Sequence, residues 1–105
     1  MQKAYLHNIK HALDKGYRLC IKDGEEGEVL VKTRGYFEAK ESIECMDFTT
    51  ILWQTETTEK ERDNGAKPFK TLAWFAVNLW NDADETIYDY SFNEYSRAWE
   101  RKYFK

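Results

Sequence analysis

The run Phe69-Lys70-Thr71-Leu72-Ala73-Trp74-Phe75-Ala76-Val77-Asn78-Leu79-Trp80 constrains the fold more than any other stretch. It is rich in aromatic and apolar residues and contains neither proline nor glycine, so it reads as a long strand. Strand side chains alternate between faces. Leu72, Trp74, Ala76, Asn78 and Trp80 then face one way, and Thr71, Ala73, Phe75, Val77 and Leu79 the other. Both sets are largely apolar, the pattern of a central strand covered on each side. The rest of the chain must supply flanking strands and covering helices.

The remaining periodicities supply them. Leu6, Ile9 and Leu13 recur at helical spacing within residues 2–15, and Gly16 follows where a C-terminal cap belongs. Residues 17–22 alternate, with Tyr17, Leu19 and Ile21 on one face, and residues 28–33 form a second strand. The glycine-bearing link Asp23-Gly24-Glu25-Glu26-Gly27 makes the pair a β-hairpin. A short helix over 37–46 places Ala39, Ile43 and Met46 together, and 48–55 is a third strand. Thr86 to Tyr90 reads as a short fifth strand. Ser91-Phe92-Asn93-Glu94 matches a capping box, and Phe92, Tyr95, Trp99 and Tyr103 then line one face of a terminal helix. Residues 56–68, polar and ending in a turn, read as a mobile charged loop. The expectation is a single α+β domain over residues 1–105. It has a mainly antiparallel sheet of four to five strands and three helices, ordered α-β-β-α-β-β-(β)-α.

Charge is segregated along the chain. Residues 1–22 carry five bases and one acid, whereas residues 23–65 carry twelve acids and five bases. Complementary packing explains most such patterns; an acidic surface aimed at a basic partner is the sharper reading. No apolar run approaches the length of a membrane span, and the first residues lack a signal-peptide core. A cytoplasmic protein with Cys20 and Cys45 as free thiols is expected.

Catalytic chemistry finds little support. His7 and His11 are four apart on one side of the first helix, a spacing that suits a metal pair. No CxxC or HExxH motif accompanies them, so solvated histidines are favoured, and no cofactor is expected. Neither cysteine lies in a nucleophile motif. Asp82, Asp84, Glu85 and Asp89 could gather a hard cation, but their spacing fits no EF-hand loop. Trp53, Trp74 and Trp80 could stack single-stranded bases. Lys67 and Lys70 at one end of the long strand face acids at the other, and the chain is acidic overall, with a pI near 5.4. Direct contact with nucleic acid is therefore the weaker reading.

The segment Trp80-Asn81-Asp82-Ala83-Asp84-Glu85-Thr86-Ile87-Tyr88-Asp89-Tyr90-Ser91 resembles small accessory proteins of phages and other mobile elements. Those pair a tryptophan-bearing strand with an ending of acidic turn, hydrophobic residue, aspartate and tyrosine. The resemblance implies a compact, acidic, single-domain class, some of whose members occlude a host protein, and it transfers no catalytic residue.

The sequence thus points to a non-enzymatic interaction protein, with a phage- or plasmid-encoded modulator of a host protein as one version. Its partner surface is expected at Trp53, Trp74, Trp80, Asp82, Asp84 and Glu85, against a host protein or a second copy in a homodimer. A single-strand nucleic-acid binder is the alternative. A small metal-dependent enzyme using His7 and His11 comes third.

Overall fold

The computed structural model describes residues 3–80 and 86–104. Among them the elements run α1 (Ala4–Asp14), β1 (Arg18–Asp23), β2 (Val29–Thr33), α2 (Tyr36–Glu44) and β3 (Phe48–Glu56). They continue with α3 (Glu59–Asp63), β4 (Phe69–Asn78), β5 (Ile87–Tyr90) and α4 (Glu94–Tyr103). The strands form one antiparallel sheet in the order β2-β1-β3-β4-β5. The α+β class and the antiparallel sheet expected from the sequence are both present. One element is additional. The stretch read as a loop contains α3, opened by a capping box in which Thr58 and Glu61 each accept the other's backbone N–H.

Local chemistry explains the boundaries. Gly16, at a φ of +82°, takes the left-handed position after α1. The Tyr17 and Gly16 amides return to the carbonyls of Ala12 and Leu13, a Schellman closure that turns the chain directly into β1.

The sheet has a covered face and an open one. Leu19, Ile21, Ile51, Trp53, Ala73, Phe75, Val77 and Ile87 are buried, and cross-strand register puts them on the same side. Tyr5, Ile9 and Ala12 of α1, Ala39 and Ile43 of α2, and Trp99 of α4 complete that core. Trp53 packs on Phe75 with centroids 4.6 Å apart, and Phe75 meets Trp99 edge-on at 5.4 Å. The expectation that β4 is covered on both faces is therefore corrected. A helix spans about 10 Å with its side chains, and five strands about 24 Å, so three long helices are consumed by one face.

The alternation read along β4 is also corrected. Trp53 pairs with Ala73, but Gln54 pairs with Thr71, which leaves Leu72 as the extra residue of a β-bulge. The bulge flips parity, so Thr71 and Phe69 share the open face with Trp74 rather than the core face with Ala73. Two further register shifts leave Leu30 extra in β2 and Tyr88 extra in β5.

The terminal helix starts two residues later than the Ser91 box would have it. Asn93 is the N-cap, accepting from the amides of Tyr95 and Ser96, while Ser96 Oγ accepts from the Asn93 amide. Asn93 Nδ2 also donates to Leu72 O, which ties the helix start to β4. Ser91 serves the sheet instead, its Oγ accepting from the Trp74 amide. Phe92 consequently lies outside the helix and is exposed, with the Arg97 guanidinium 4.5 Å from its ring centre. Trp99 is buried, and Tyr95 and Tyr103 pack beside it, as that face required.

The two faces predict opposite costs for two tryptophans. Trp99→Ala should cost about 3–5 kcal/mol, enough to unfold a marginal domain, whereas Trp74→Ala should cost about 1 kcal/mol or less. Urea denaturation followed by circular dichroism measures both, and comparable losses would overturn the assignment of faces.

Candidate functional site

The sequence-derived site residues do not gather in one place. Trp53 has no exposed surface; its ring is sandwiched in the core and its Nε1 donates to Asn8 Oδ1 at 3.1 Å. It belongs to packing and cannot meet a partner in the folded protein. Trp74 is 37% exposed on the open face, and Trp80, just beyond β4, is 67% exposed. Asp82, Asp84 and Glu85 lie outside the described residues. Asp89 pairs with Ala76 and is exposed.

The two histidines take part in packing. Trp99 Nε1 donates to His7 Nδ1 at 3.0 Å, which requires a neutral His7 ring with its proton on Nε2. His11 stacks on Trp53 with centroids 5.4 Å apart. Burial holds the pKa of both rings below the ordinary histidine value, and Lys102 adds to this in both, with Lys10 near His7 and Lys15 near His11. Among the described residues no cluster of three or more metal-ligating side chains occurs. Cys20 is buried and Cys45 exposed, both as free thiols.

The feature that sequence reasoning missed lies on the open face. A groove of about 590 Å³ runs over β1, β2 and β3 and is closed at one end by the segment leading into β4. Arg18, Lys22, Lys32 and Lys67 line it together with the apolar Val29, Leu52, Pro68 and Phe69, and no carboxylate contributes to its wall. Antiparallel register builds it. Lys32, Cys20, Leu52 and Trp74 stand abreast across four strands, and Arg18, Gln54 and Thr71 form the next row.

Arg18 is held rather than free to rotate. Its guanidinium carbon lies 3.4 Å from the centre of the Phe69 ring. Its Nε and Nη2 both donate to Gln54 Oε1, at 3.1 and 2.7 Å. Stacking and hydrogen bonding fix the plane of the cation, and its remaining N–H groups have no partner among the described residues. The bulge at Leu72 matters here, because it brings Phe69 onto the open face beneath Arg18. One sequence signal foreshadowed the groove: Arg18, Cys20 and Lys22 form the alternate face of β1, and cations at alternate positions mark a side that no helix covers.

Ion pairing sharpens the contrast. Lys40 is bridged to Glu44 at 2.8 Å, Lys70 to Glu61 at 3.1 Å and Arg34 to Glu56 at 3.9 Å. Among the described residues, none of the four groove cations has such a partner. Several acids of residues 23–65 serve elsewhere: Asp23 in the β1–β2 turn, Glu61 at the start of α3, and Glu44 and Glu56 in the pairs just named.

No helix among the described residues is long and apolar enough to cross a membrane. No family model matches the chain, and neither a curated protein nor a solved structure matches it. The resemblance to phage accessory proteins thus stands on residues 80–91 alone, part of which lies outside the described residues.

The histidine packing sets a pH dependence. In the unfolded chain both rings gain a proton near pH 6.5; in the folded protein they resist it. Below that pH the unfolded state binds more protons, so stability is full above about 6.5 and falls as pH drops toward the folded-state values. The urea midpoint should fall between pH 7.5 and 5.0, a window above the carboxylate range. His7→Gln/His11→Gln should flatten that fall, and an unchanged slope would clear the histidines of causing it.

Proposed function

We propose that this chain is a binding protein, and that its working surface is the open face of the sheet. The observation that carries this reading is the convergence of Arg18, Lys22, Lys32 and Lys67 on one groove, without counter-charge, beside the exposed ring of Trp74. Like charges held together raise the local potential and repel one another, a cost that an anionic partner removes. The side chains are those of recognition rather than of group transfer. The groove offers one held guanidinium, three lysines, apolar surface and the Gln54 amide, and its only thiol, Cys20, lies buried.

This reading keeps the interaction role expected from the sequence and changes the partner's sign. The acidic chain presents a basic surface, so the partner is anionic. A homodimer formed face to face across the groove is disfavoured, because a two-fold axis brings the same patch of both copies together and so sets cations against cations.

A heparin oligosaccharide, as a generic polyanion, tests the surface. Fluorescence anisotropy at low salt should show binding by the wild type and at least about tenfold weaker binding by Lys22→Glu/Lys32→Glu/Lys67→Glu. Arg101→Glu/Lys102→Glu, on exposed positions of α4, should bind as the wild type does. A wild type that ignores heparin, or a groove variant that binds equally well, would refute the proposal.

A further inference from the structure

We infer that the anionic partner of the open face is single-stranded nucleic acid, laid with its phosphates along β1 and β2 and with a base stacked on Trp74. The inference rests on the binding reading of that face and adds the identity of the occupant.

Three observations carry it. First, the cations form a rail. Successive open-face residues on a strand stand about 7 Å apart. The row of Lys22, the row shared by Cys20 and Lys32, and the row of Arg18 each present one cation, with Lys67 at the closed end. Cation-bearing residues in successive rows of a groove, with the Arg18 guanidinium reaching across to Phe69, match the repeating charge of a backbone better than one compact anion. Second, Leu52 and Trp74 lie to one side of that rail. Leu52 stands one strand from Cys20 and Trp74 two strands, about 10 Å, a span that a nucleotide bridges from phosphate to base. Third, Trp74 stands on the open face of the sheet as an unstacked tryptophan, and Trp80, just beyond β4, is unstacked as well. Trp53 and Trp99 are packed among other rings, whereas Trp74 has no ring partner among the described residues. Its backbone is anchored, since its amide donates to Ser91 Oγ and its carbonyl accepts from the Ser91 amide. The result is an aromatic plane on a rigid strand, available to a base.

Arg18 supplies the fixed point. Phe69 and Gln54 hold its guanidinium flat, a geometry that suits a phosphate oxygen or the face of a base. Duplex is excluded from the stacking arm, because its bases are already stacked on one another. An acidic protein surface could satisfy the cations but would gain nothing specific from Trp74.

The probes are fluorescein-labelled dT12, the same sequence as a duplex, heparin oligosaccharide and poly-glutamate. Wild type should bind dT12 more tightly than duplex or poly-glutamate. Its affinity should fall about fiftyfold between 50 and 200 mM salt if four phosphates are neutralised. Trp74→Ala should weaken dT12 about tenfold or more while leaving heparin binding unchanged, and Trp74→Phe should restore most of the loss. Arg18→Ala should weaken both probes. If heparin binds but dT12 is indifferent to Trp74→Ala, or poly-glutamate competes as well as dT12, the nucleic-acid assignment is wrong and the anionic reading survives. If no polyanion binds, both fall together. Unchanged circular dichroism of Trp74→Ala and Trp74→Phe assigns any loss to contact rather than to folding.

Discussion

The ring of Trp53 is the joint on which this fold turns. It projects from β3 into the one space that α1 must also fill, and His11, Tyr17 and Phe75 close around it. Its indole N–H would be stranded in that apolar setting without Asn8, whose Oδ1 accepts it from one turn before His11. That bond fixes the rotation of α1 about its own axis, since Asn8 must face the sheet. The same rotation aims His7 outward at α4, where Trp99 donates to it. Two tryptophans thereby sort the polar residues of one helix into structural acceptors. A face that resembles a metal-binding pair in sequence is committed to packing in the structure.

Committing the helices to that side has a cost and a use. The core collects the large rings that three helices can cover, and no long helix of the described residues remains for the opposite face. What occupies that face is mixed: lysines and an arginine over β1 and β2, then leucine and tryptophan toward β4. A solvated sheet face with short polar side chains would be inert. A groove lined by four cations and no carboxylate holds like charges together and so carries a positive potential.

Much of the architecture was legible from local signals. Period-two and period-3.6 patterns placed every long element within a few residues, and Gly16 marked the end of α1 correctly. What could not be read was set by tertiary geometry. Ser91 heads the capping sequence, yet the cap falls to Asn93, whose side-chain amide also reaches Leu72 O while Ser91 is drawn to the Trp74 backbone. The alternation of β4 looked continuous because a bulge adds a residue without changing residue types. The groove was harder still. Arg18 and Phe69 are far apart in the chain and meet only through the pairing of β1 with β3 and β3 with β4. Charge counted along the sequence said acidic; charge counted across the open face says the reverse.

The bulges at Leu30 and Tyr88 bear on a different hazard. A bare sheet face flanked by two unpaired edges is the arrangement from which cross-β assemblies grow. Here both edge strands, β2 and β5, carry an out-of-step residue. A strand from another molecule would find regular donors and acceptors for only a few residues before its register failed. One face of the sheet stays uncovered, while the out-of-step residues at its margins resist its extension into a fibril.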